Sequence, residues 1–131
     1  KSVADGIVAA AREIAETTQV AAICCFSQGG TTALLVARER PRVPIIALTS
    51  QVDTARRLCL SWGCACVITG PVDRFKHAVL AAVRAAVDEG LATAADNVVV
   101  TAGVPFNTPG STNIIRVAPC DESLIIPANP D

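Results

Sequence analysis

With 131 residues, 51% of them hydrophobic, and a formal charge of −1, the chain has the size and composition of one domain with one sizeable core. Its 11 Lys and Arg residues are spread out with no basic run, which excludes the charge footprint of a nucleic-acid binder. No stretch approaches the roughly 18 uninterrupted apolar residues of a membrane helix. The chain holds no Met and begins at Lys1, so it reads as a piece of a longer or processed protein, and its first residues carry no signal-peptide pattern.

Six cysteines, Cys24, Cys25, Cys59, Cys64, Cys66 and Cys120, include no C-x-x-C pair, and His77 is the one imidazole. The spacing of a zinc site is missing. Cys24 and Cys25 lie inside an apolar run, where Cys behaves as a small hydrophobe. Reduced thiols and a cytoplasmic location are the expectation, with Cys64 and Cys66 the pair most open to a metal or an oxidant.

In chain order, Ser2-Val3-Ala4-Asp5 is a capping-box start. Val3, Ile7, Ala10 and Ile14 then follow at helical spacing to about Thr17. Val20–Phe26 is a continuous apolar run, the pattern of a strand buried on both faces. "SQGGTT" (27–32) leads into a short helix, TALLVARER, stopped by Pro41 and Pro44. A second strand is predicted at about Pro44–Thr49. A helix follows with Val52, Ala55, Leu58 and Cys59 on one face, and Gly63 suits its C-cap. "CACVIT" is a third strand. Phe75, Val79, Val83 and Val87 mark a helix over Arg74–Glu89, closed by Gly90. "DNVVVTAG" and "TNIIRVAP" are the last two strands.

Buried strands alternating with helices predict an α/β fold, a sheet covered by helices on both faces in three layers, α/β/α. The last two strands are joined by only about twelve residues, too few for a helical crossover, so the fifth strand should be antiparallel and the five-stranded sheet mixed. Residues 1–118 form the domain and 119–131 an acidic, Pro-containing tail, expected to have little fixed structure beyond Ala118 unless Leu124–Ile126 docks.

Open α/β sheets bind ligands beyond the carboxyl ends of their strands. Two loops of suitable composition fall there. The first is Ser27, Gln28, Gly29, Gly30, Thr31 and Thr32: its glycines allow close backbone approach and the following helix start favours an anion. The second is Gly103–Thr112, with Pro109, Gly110 and Ser111 toward its far end. If both loops lie at one edge of the sheet, they could close over one phosphorylated ligand. The same small residues also suit a plain tight turn, and the loop has neither the Lys of a Walker A sequence nor the third Gly of a dinucleotide fingerprint. No catalytic constellation stands out: His77 is alone on a helix, and Asp53 and Asp73 open helices without an acidic partner.

"SQGGTTALLVARERPRVPIIALTSQVDTARRLCLSWG" together with "DNVVVTAGVPFNTPGSTNIIRV" resembles the C-terminal domain of pyruvate kinases, in the bacterial style. The R-P-x-x-P-I-I-A-x-T segment at Arg40–Thr49, T-A-R-x-L at Thr54–Leu58 and P-G-x-T-N at Pro109–Asn113 carry the likeness. The resemblance implies a regulatory domain with no catalytic residues of its own. Phosphoryl transfer from phosphoenolpyruvate to ADP, with Mg and K ions, would occur in a barrel domain outside this chain. It implies an effector-phosphate site at Ser27–Thr32 and a closing loop at about Gly103–Ser111. It also implies homodimer or tetramer assembly through the last strand, Asn113, Ile114, Ile115, Arg116 and Val117. Fructose-1,6-bisphosphate-activated relatives often carry Lys or Arg in the first loop, whereas position 31 here is Thr and the closing loop has no basic residue. A sugar monophosphate or AMP is therefore the expected effector rather than a bisphosphate. The alternatives are a purely structural assembly domain with a silent site, or a stand-alone protein of the same fold.

Overall fold

The structure, a computed structural model, describes residues 2–58, 63–70, 72, 74–103 and 112–125. Helix α1 (Val3–Thr17) starts as its first residues dictate. The Asp5 N–H donates to Ser2 Oγ at 3.2 Å, and the Ser2 N–H donates to Asp5 Oδ2 at 3.0 Å, which satisfies two donors of the open first turn. Its inner face is Val8, Ala11 and Ala15.

The remaining elements are β1 (Ile23–Phe26), α2 (Thr31–Arg38), β2 (Ile45–Thr49), α3 (Val52–Leu58), β3 (Cys64–Ile68), α4 (Phe75–Asp88), β4 (Asn97–Gly103) and β5 (Thr112–Pro119). The five strands form one sheet in the order β3-β2-β1-β4-β5. Four are parallel, and β5 runs antiparallel to β4, as the short connection requires. Strand β1 is shorter than the apolar run that announces it. Val20 is buried but precedes the ladder, and the Ala21 N–H already bonds to the Asn97 carbonyl.

Alternate side chains of the central strands feed two apolar layers, which is why these strands read as unbroken hydrophobic runs. Ile23, Cys25, Ile45, Ala47 and Val99 pack with α1, α2 and Leu58 of α3. Cys24, Ile46, Leu48, Val98 and Val100 pack under Val79, Ala82, Val83 and Ala86 of α4. Val52 and Val87, expected on inner helix faces, are 48% and 41% exposed, the buried faces running instead through Thr54, Ala55 and Leu58 of α3 and Val79, Ala82, Val83 and Ala86 of α4. Cys59 lies outside the described residues.

Beyond Ala118 the chain is held more firmly than its composition suggests. Cys120 and Ile125 are buried in the α4-side core, and a turn of 3-10 helix spans Glu122–Leu124. Asp121 caps that turn by accepting from the Ser123 N–H and hydroxyl, and Glu122 takes two guanidinium bonds from Arg84. Among the described residues no helix is long and apolar enough to cross a membrane.

Candidate functional site

The parallel strands all end at one edge of the sheet. There the chain leaves β1 toward β2 but leaves β4 toward β5, in opposite directions. The carboxyl ends of β1 and β4 therefore bound the switch-point crevice at which such sheets hold ligands. Ser27 extends the strand spacing by one residue, its N–H donating to the Leu48 carbonyl at 3.0 Å. The loop then turns into α2 at Gly30, whose φ of +85° is left-handed, a conformation open to glycine and costly for other residues. Space makes the same demand: a Cβ on Gly30 would stand 3.2 Å from Thr54 Cγ2 and 3.4 Å from Leu58 Cδ2. No side chain caps α2. The first-turn N–H groups thus lack intrahelical acceptors at the positive end of the helix dipole.

The loop's carbonyls are engaged from the other side. Thr54 Oγ1 donates to the Gln28 carbonyl at 2.7 Å, and Arg57 Nη2 donates to the Gly29 carbonyl at 3.2 Å. Arg57 also reaches Thr54 Oγ1 at 3.3 Å, and Ser50 Oγ donates to Gln28 Oε1 at 3.0 Å. Helix α3 consequently neutralises the negative ends of the loop's peptide dipoles and brings a guanidinium to a loop with no basic residue of its own. Sequence reasoning missed Arg57, because its approach depends on β2 lying beside β1. Its place one turn beyond the Thr54–Leu58 motif's first residue was the one available signal.

The two loops named from sequence meet through a buried pair. Thr32 Oγ1 and Thr112 Oγ1 are 2.7 Å apart, joining the first turn of α2 to the start of β5. Ser27 and Thr32 are buried, Gln28 is half-buried, and Gly29 and Thr31 are exposed. Of the three hydroxyls in the loop, Thr31 is the one at the surface, and the Thr32 hydroxyl is spent on Thr112. Gly103 ends β4 opposite Thr112. Pro109, Gly110 and Ser111 lie outside the described residues. Asn113, Ile114, Ile115, Arg116 and Val117 lie on the strand at the sheet's edge, with Ile115 turned to the α1–α2 core and Val117 45% exposed.

The other chemistry-bearing side chains stand apart. His77 is exposed on α4, and Asp53 pairs with Arg56 on the outer surface of α3 at 3.9 Å. Asp73 lies outside the described residues. Burial pushes the Cys25 thiol up to about 12 and raises Cys24 as well, so neither supplies a thiolate near neutral pH. Among the described residues no group of three or more His, Cys, Asp or Glu could hold a metal ion. A groove of about 490 Å³ opens between α1 and α2, lined by Asp5, Val8, Leu35 and Arg38 among others. Arg38 and Glu39 place it toward the far end of α2 from Gly30, where the helix dipole disfavours anions.

Residues 5–118 match the family model described as "Pyruvate kinase, alpha/beta domain". A pyruvate kinase of Methylorubrum extorquens is 40% identical over 114 residues, which is 87% of this chain and 24% of that protein. One from Agrobacterium vitis is 42% identical over 111 residues, 85% of this chain and 23% of that protein. One from Geobacillus stearothermophilus is 40% identical over 116 residues, covering 88% and 20%. The chain thus spans about a quarter or less of the length of these relatives. A crystal structure of a pyruvate kinase from Cryptosporidium parvum superposes with a TM-score of 0.81 at 24% identity, over 92% of this chain and 23% of that one; at that identity it shows the fold. With the mixed sheet, the helix layers and 114 matched positions in agreement, the chain belongs to the pyruvate kinase α/β-domain family.

Proposed function

We propose that this chain is the regulatory domain of a pyruvate kinase and that the Ser27–Thr32 loop holds the phosphate of a small-molecule effector. The observation that supports this best is the polarity of the loop. Its Gln28 and Gly29 carbonyls are engaged by Thr54 and Arg57, while the uncapped start of α2 keeps its N–H donors at the crevice between β1 and β4. Donors on one side and masked acceptors on the other favour an anion.

The charge argues for a monoester. Arg57 is the cation that the described residues bring to this loop, and one guanidinium with neutral donors balances a phosphate dianion better than the four charges of a bisphosphate. A sugar monophosphate or AMP fits, with the exposed Thr31 hydroxyl as a further donor. Phosphoryl transfer from phosphoenolpyruvate to ADP, and the Mg and K ions that go with it, belong on this reading to the barrel domain, and no chemical step is assigned to the residues described here. A second reading, a purely structural assembly domain, draws on β5: its Asn113–Val117 stretch lies at the sheet's edge, where an unpaired strand can add a copy of itself across a two-fold axis.

A thermal-shift series with glucose 6-phosphate, ribose 5-phosphate, AMP and fructose 1,6-bisphosphate separates the readings. Binding to the native state stabilises it by about 2.7 kcal/mol at a hundredfold excess over Kd. A rise with a monophosphate that shrinks in Arg57→Gln supports the effector site. A flat series leaves the loop as a turn and the domain as a scaffold.

A further inference from the structure

We infer that the Thr32–Thr112 hydroxyl pair couples occupancy of the 27–32 loop to the β5 edge strand, an inference that rests on the proposed reading of that loop as a phosphate site. Thr32 is the second residue of α2, in the turn whose N–H groups would close on the phosphate. Its hydroxyl lies 2.7 Å from that of Thr112, the first residue of β5, across 80 residues of sequence. The two residues are 4% and 6% exposed, so both hydroxyls are largely shielded from solvent. Parting them strands two buried polar groups, an outcome costlier than moving both together.

The link enters the strand at an irregularity that can pass that movement on. Ala102 pairs with Ile114 but Gly103 pairs with Thr112, so Asn113 is an extra residue in the β4–β5 ladder. Such a bulge lets a strand be re-aimed locally while the rest of the ladder keeps its register. Thr112 therefore ties the first turn of α2 to the bulged start of β5. A shift of that turn passes through the link and re-aims the strand from Asn113 onward. Beyond the bulge the strand carries the exposed Arg116 and Val117 at the edge of the sheet, the surface a partner strand would meet.

Hydrogen–deuterium exchange with glucose 6-phosphate as the probe tests the link, on the wild-type chain, on Thr32→Val with Thr112→Val, and on Thr112→Ser. The valine pair removes both hydroxyls together and orphans neither, while serine keeps the bond. In the wild type the probe should slow exchange in the first turn of α2 and, by about threefold or more, in the amides of 113–117. In the valine pair the α2 turn should still respond and β5 should not, with the serine variant restoring both. Equal β5 protection in the valine pair overturns the coupling, as does wild-type protection confined to α2, a result that needs no variant to fold. No protection anywhere in the wild type removes the phosphate-site reading itself and the coupling with it.

Discussion

Arg57 Nη2 lies 3.2 Å from the Gly29 carbonyl oxygen, so a cation 28 positions along the chain completes a loop that has no charge of its own. The bond holds the guanidinium at the loop's exposed rim. An exposed charge-assisted contact of this kind contributes roughly 1 kcal/mol once solvent screening is allowed for. Arg57→Gln should therefore weaken monophosphate binding about fivefold and flatten its salt dependence, read by titration at low and high ionic strength. An unchanged affinity would remove Arg57 from the site.

Gly30 is predicted to be the least replaceable position of the loop. Ala there must hold a left-handed φ and press on Thr54 Cγ2 at 3.2 Å, and the conformational part alone costs about 1–2 kcal/mol. Urea unfolding of Gly30→Ala should show that loss, while Gly29→Ala, whose added Cβ meets nothing within 4 Å, should lose much less.

The alternation of elements is legible in the sequence because both faces of the central strands are buried: ICCF and IIALT could hardly be solvated on either side. The antiparallel β5 follows from connection length alone. What cannot be read are relations set by strand order. Arg57 meets Gly29 because β2 neighbours β1, and Thr32 meets Thr112 because β5 starts at the edge where β1 ends. The loop's composition suits an anion site or a plain turn, and which hydroxyls face outward is decided by burial: Thr32 is buried and Thr31 exposed. The tail was legible in part. Asp121 two residues before Ser123 is a local capping signal, but the core that buries Ile125 is assembled from residues distant in sequence.

That tail should report on core packing. Ile125→Ala is expected to destabilise the domain by about 2 kcal/mol, the low end for a large-to-small change near a surface. Arg84→Gln should cost less than about 1 kcal/mol, because the Arg84–Glu122 pair is 56% and 47% exposed. Equal effects would mean that the ion pair holds the tail as firmly as the apolar seat does.

Acid should loosen the same turn. Hydrogen bonds from the Ser123 hydroxyl and N–H hold the Asp121 carboxyl below its ordinary value of 3.8. A lowered carboxylate contributes stability that is fully present above the unfolded value and is lost as pH falls through the folded one. Protection of the Ser123 amide should accordingly be constant down to about pH 4 and fall below it, and Asp121→Asn should remove that dependence.

The measurement that bears most directly on the account is a calorimetric titration of the chain with glucose 6-phosphate and, separately, with fructose 1,6-bisphosphate. The account predicts saturable binding of the monophosphate, weakened in Arg57→Gln, with the bisphosphate no tighter. Micromolar binding of the bisphosphate with the monophosphate inert, or no heat from either, would contradict it.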